Sequence, residues 1–93
     1  MDEHLEALME GRRAWDRAWR ALRRKERKAV EDAVQRGLAL PDIASAAMAI
    51  GYIRFTRRRA EERTGWGIPE IFFKQLKNAE EANLTVLGDE GRA

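Results

Sequence analysis

Proline stands only at positions 41 and 69, and no run of alternating β-branched and polar residues long enough to pleat into a strand occurs anywhere in the chain. Ala, Arg, Glu, Leu and Lys, all good helix formers, dominate instead. Such a chain has one class of fold open to it: helices, with corners where glycine or proline forces them. Its 93 residues suffice for a single domain with a thin core, since a chain of this size buries roughly 60–65% of the surface its unfolded form exposes. The expected architecture is all-α, a compact bundle of four to five helices over residues 1–87, followed by a short polar tail at 88–93.

Spacing locates the elements. A first helix is predicted from about Asp2 to Arg24, with continuation to Arg36 left open. Asp2, Glu3 and Glu6 suit its N-terminus, and Leu5, Leu8, Trp15, Trp19 and Leu22 form one apolar stripe. Gly11 is a weak point within it, worth about 1 kcal/mol against alanine. Val30, Ala33 and Val34 mark a helical stretch from Ala29 to Arg36 that ends at Gly37. Pro41-Asp42 starts a small-residue helix reaching about Ala49, and Ile50-Gly51 reads as a tight turn. A basic helix is expected from about Tyr52 to Arg63, ended by Thr64-Gly65-Trp66-Gly67, with Trp66 plugging the core. Pro69 opens a last helix through about Asn83, burying Ile71, Phe72, Leu76 and Ala79.

Charge is unevenly placed. The net value is only +2, yet nine basic residues and two acids, Asp16 and Glu26, lie between Arg12 and Lys28. On a continuous helix, Arg13, Arg17, Arg20, Arg24, Arg27 and Lys28 fall within a sector of roughly 100°, behind which Trp15 and Trp19 pack into the core. A stripe of that sign attracts phosphates or an acidic protein partner more strongly than solubility requires.

The stretch from Val30 to Arg63 resembles the helix-turn-helix of bacterial and phage DNA-binding domains. Ala33-Val34 is followed by Gly37-Leu38, and Ile43-Ala44 opens the helix before the turn. The resemblance implies Ala44 where two helices cross, Ile53 as the buried anchor of a recognition helix, and Arg54, Arg57, Arg58 and Arg59 facing DNA. Ile53 comes one residue before the aliphatic position usual in such domains, and the usual turn glycine falls on Met48, so the turn must be rearranged.

Other functions lack residues to carry them. Without cysteine there is no disulfide, thiolate metal site or Cys nucleophile, which fits a reducing cytoplasm. His4 is the only histidine and Ser45 the only serine, so neither a metal site nor a Ser-His-Asp triad is expected. Glu61 and Glu62 read as surface ion-pair partners of Arg57, Arg58 and Arg59. No run of eighteen apolar residues exists, and the acidic start does not suit a secretory signal. The expectation is therefore no enzyme, cofactor, metal or small-molecule substrate. Expected instead is a small helix-turn-helix transcriptional regulator of phage or mobile-element type. Its helix from Tyr52 would enter the major groove, while Arg13, Arg17, Arg20, Arg24, Arg27 and Lys28 clamp the backbone. Homodimerisation through the tryptophans or Phe72 and Phe73 fits this reading, and the basic helices by themselves do not separate DNA from RNA. The alternative is a protein-interaction module whose basic helix and Trp anchors bind an acidic protein partner.

Overall fold

Six consecutive residues, Ala46 to Gly51, are buried. A helix buried all round carries no one-sided apolar stripe, and that is what an unbroken run of small and apolar residues encodes. In the computed structural model, which describes residues 2–62 and 70–91, this run lies within one twenty-residue helix, α4 (Ile43–Glu62). The turn expected at Ile50-Gly51 is therefore absent: the two segments read on either side of it are one helix. Gly51 lacks the positive φ of a turn glycine and serves close packing instead.

The first helix is shorter than expected for the opposite reason. Residues 3–35 form three helices, α1 (Glu3–Met9), α2 (Arg13–Ala21) and α3 (Arg24–Gln35). Gly11 makes the first corner at φ +66°, a left-handed conformation that strains any side chain. The second corner is made by Leu22 and Arg23, both extended at ψ 147° and 153°. Glu26 then fixes the start of α3, its carboxylate accepting the Arg23 N–H at 3.2 Å. At the far end the Leu38 N–H donates to the Ala33 carbonyl (2.9 Å) and the Gly37 N–H to that of Val34 (3.1 Å). With Gly37 at φ +70° this is a Schellman stop, as its sequence position implied.

Asp42 caps α4. Its carboxylate accepts both the backbone N–H of Ser45 (2.8 Å) and the Ser45 hydroxyl (2.9 Å). The last helix, α5 (Glu70–Gly91), runs well past Asn83, so 88–91 belong to it rather than to a separate tail. The extension is held by Leu87, which is buried, and Val86, which packs beside it. Trp66 and the Gly-rich segment around it lie outside the described residues.

α4 is the axis against which the other helices pack. One apolar cluster gathers Leu8, Met9, Trp15, Ala46, Ala47, Met48, Ile50 and Leu87 where α1, α2 and the end of α5 meet α4. The other joins Val30, Val34, Leu40, Ala49, Ile53, Leu76 and Ala79 from α3, α4 and α5. Trp19 and Tyr52 touch both. Ile53 is buried, within the single helix α4, but Ala44 is exposed, and Ala46, Ala47 and Ala49 supply the small contact surfaces. Ile71 is 70% exposed, so the apolar face of α5 begins at Phe72 and Leu76 instead.

Candidate nucleic-acid interface

The inner face of α2 sets where its outer face points. Trp15, only 2% exposed, donates its indole N–H to the Met48 carbonyl at 3.1 Å. Its ring stacks on Phe55 (centroids 4.8 Å apart) and on Trp19 (5.3 Å), and Trp19 stacks in turn on Tyr52 (5.2 Å). Offset aromatic pairs at these separations add roughly 0.5–1.5 kcal/mol each beyond the area they bury. Burial first, then the nearby Glu31 carboxylate, push the Tyr52 hydroxyl above its ordinary pKa, so Tyr52 stays neutral within the stack. Trp15 is core and Trp19, half-buried, packs against both apolar clusters, so the apolar stripe of α2 faces inward and clamps the helix.

The opposite face of α2 is cationic. Arg13, Arg17 and Arg20 are exposed and fall within a sector of about 60° at 100° per residue. Arg23 at the corner and Arg24, Lys25 and Lys28 on α3 are exposed, and Arg27 is half-buried. The six-residue stripe expected on one rod is thus divided between two helices. Among the described residues, Arg20 alone in the block from Arg12 to Lys28 has a carboxylate within ion-pair distance, Asp16 at 3.2 Å. The corner residue Arg23, together with Arg12 and Lys25, is exposed as well. They lie off the stripe of a straight helix, and so periodicity does not find them.

The arginines of α4 have a different occupation. Arg54 donates through Nη1 to the Met9 carbonyl at 3.1 Å. Arg58 donates through Nη1 to the Glu10 carbonyl at 3.3 Å and through Nη2 to that of Gly11. These are the orphan acceptors at the C-terminal end of α1, where a cation is also favoured by the helix dipole. Glu80 of α5 meets Arg54 and Arg57 at 3.5 Å each. The ion pairs expected between Glu61 or Glu62 and Arg57, Arg58 or Arg59 are not formed among the described residues; Arg54 and Arg57 reach across to α5 instead. Arg59 lies over the Phe55 ring, 5.5 Å from its centroid. A shallow groove of about 500 Å³ opens beside this joint, lined by Glu10, Arg12, Arg54, Arg57, Arg58 and Glu61, so carboxylates interrupt its positive charge.

Arg54→Gln combined with Arg58→Gln is accordingly expected to loosen the α1–α4 joint. The loss should be about 1–2 kcal/mol in a urea titration, reduced from the full value of the three charge-assisted bonds because both side chains are partly solvated. An unchanged midpoint would show that the guanidinium groups do not hold α1.

No cluster of His, Cys, Asp and Glu able to hold a metal occurs among the described residues, and no described helix is long and apolar enough to cross a membrane. The chain matches no family model, and no curated protein or solved structure is detectably similar to it.

Proposed function

We propose that the protein binds DNA, with the basic surface of α2 and α3 as its contact face. The observation that carries this reading is the block from Arg12 to Lys28. Eight of its nine basic residues are exposed, Arg27 being the half-buried one, and only Arg20 has an acidic neighbour in ion-pair range among the described residues. A folded surface ordinarily intersperses the two signs. Leaving so many cations without partners is what contact with a polyanion requires, because each phosphate neutralised releases condensed counterions.

The reading differs from a helix-turn-helix with α4 as its reading helix. Arg54, Arg57 and Arg58 of α4 support the α1 corner or pair with Glu80, which leaves phosphate contact from α2 and α3 as the dominant interaction. Binding is therefore expected to be strongly salt-dependent. A small regulator of transcription is the role we assign to a binder of this size.

The test is fluorescence anisotropy of a labelled random-sequence duplex at low and then moderate salt. The expected result is binding at low salt with a log–log salt slope of roughly −3 or steeper, about −0.9 for each phosphate contacted. Absence of binding at low salt would refute the proposal and direct the search to an acidic protein partner.

A further inference from the structure

We infer that α2 is the element that enters the major groove of duplex DNA; the inference rests on the nucleic-acid reading above and adds which helix docks, how, and on which polyanion.

Shape and charge coincide on α2, whereas on α3 the exposed cations and Ala29 are interspersed with exposed Glu26 and Asp32. Its exposed side is Arg13, Ala14, Arg17, Arg20 and Ala21. The three arginines reach outward, and the two alanines beside them add only a methyl group each. At 100° per residue the three arginines share one sector and the alanines lie along its edge, so the helix can bring its backbone close to a partner at the alanine edge while its cations extend from the adjoining side. An α-helix is roughly 10–12 Å across with its side chains, and the B-form major groove, roughly 12 Å wide, admits one. Asp16, half-exposed, holds Arg20 at 3.2 Å from the preceding turn and so orients one of the three guanidinium groups.

Rigidity supports the same assignment. The Trp15–Met48 hydrogen bond and the Tyr52–Trp19–Trp15–Phe55 stack fix α2 against the central helix, so little side-chain or backbone freedom on its inner face is lost on docking. The chain then turns at Leu22 and Arg23, and α3 leaves the α2 axis carrying exposed Arg24, Lys25 and Lys28. These residues are placed to meet the phosphates flanking a groove that α2 occupies. An α4 approach lacks this economy of contact: Arg54, Arg57 and Arg58 are half-buried and bound to α1 carbonyls or Glu80, and only Arg59, over the Phe55 ring, is exposed. The groove fit also selects among polyanions, because the major groove of A-form RNA is too deep and narrow for side chains to read.

The experiment separates shape from charge. Ala14→Trp and Ala21→Trp add bulk to the exposed face of α2 without changing its charge. Ala39→Trp, on the exposed α3–α4 connection, controls for tryptophan itself stacking on nucleic acid. Each variant is checked by its unfolding midpoint, then titrated against labelled duplex DNA, single-stranded DNA and duplex RNA. The expected result is about a tenfold or greater loss of duplex DNA affinity for the two α2 variants, none for Ala39→Trp, and little change with single strands. Undiminished duplex DNA binding by both α2 variants would overturn groove entry while leaving the phosphate-binding reading in place. Duplex RNA bound as tightly as DNA, with the same loss, would overturn the choice of polyanion. Failure of the unaltered protein to bind any of the three would overturn the proposed function together with this inference.

Discussion

Gly51→Ala is expected to lower the stability of the fold by about 3 kcal/mol, enough to shift the melting temperature of a domain this small by roughly 10–20 °C. Alanine in a helix interior ordinarily gains about 1 kcal/mol over glycine, so the expectation runs against helix propensity. The reason is the crossing of α4 beneath the α1–α2 corner. A methyl group built at Gly51 overlaps the Leu8 carbonyl oxygen and Cδ1 of Trp15, and lies 2.9 Å from Trp15 Cγ. A main-chain oxygen cannot swing aside as a flexible side chain can, and Trp15 is held by its own hydrogen bond and two stacking partners. The same contact is tight from the other side, where a methyl at Gly11 would overlap the Gly51 carbonyl and sit 3.0 Å from the Phe55 nitrogen. Thermal unfolding followed by circular dichroism measures the effect. An unchanged or raised midpoint would mean that the corner does not approach α4 as closely as described.

The second large effect is expected at Asn83→Leu, which is close in volume and costs about 2–4 kcal/mol through lost hydrogen bonds. Asn83 is completely buried, with 0% exposure. Its Oδ1 accepts the Leu40 N–H at 2.9 Å, and its Nδ2 donates to the carbonyls of Ala79 (2.7 Å) and Leu38 (3.3 Å). One amide thus satisfies both polar edges of the α3–α4 connection against α5. Leucine would leave the Leu40 N–H buried without a partner. Beyond the lowered midpoint, hydrogen exchange should accelerate at the Leu40 amide before the rest of the core opens. Protection at Leu40 equal to that of the unaltered protein would contradict the clamp.

These two positions also show where sequence reasoning stopped. The helical class, the inward packing of Trp15 and Trp19, the Gly37 stop and the Asp42 start follow from composition, spacing and capping chemistry, all of which act locally. Gly51 carries two opposite local meanings, a turn or a close crossing, and only its neighbours Leu8 and Trp15, far away in sequence, decide between them. Asn83 falls on the buried stripe of α5 by its spacing from Leu76, Ala79 and Leu87, but a polar side chain there reads as a break in the stripe, and the partners that explain it, Leu38 and Leu40, lie in another element. The basic block was legible as charge, but its geometry was not. A straight helix through Gly11 and Leu22-Arg23 puts six cations on one side, whereas the real corners divide them between α2 and α3. Arg54, Arg57 and Arg58 share a helix face, as their spacing requires. What spacing could not show is that the C-terminal end of α1 and Glu80 of α5 would occupy that face.

The most direct measurement compares two sets of arginines in one assay. Arg13, Arg17 and Arg20 are changed together to glutamine in one variant, Arg54 and Arg58 in another, and each is titrated against the same labelled duplex across a salt series. If α2 is the contact face, the first variant loses most of its low-salt affinity, and its salt slope flattens by about 0.9 for each phosphate contact removed. The second, although less stable, keeps the affinity and slope of the unaltered protein at a temperature where it remains folded. The reverse pattern, with binding lost from the α4 variant and retained by the α2 variant, would contradict this assignment and return the contact to α4.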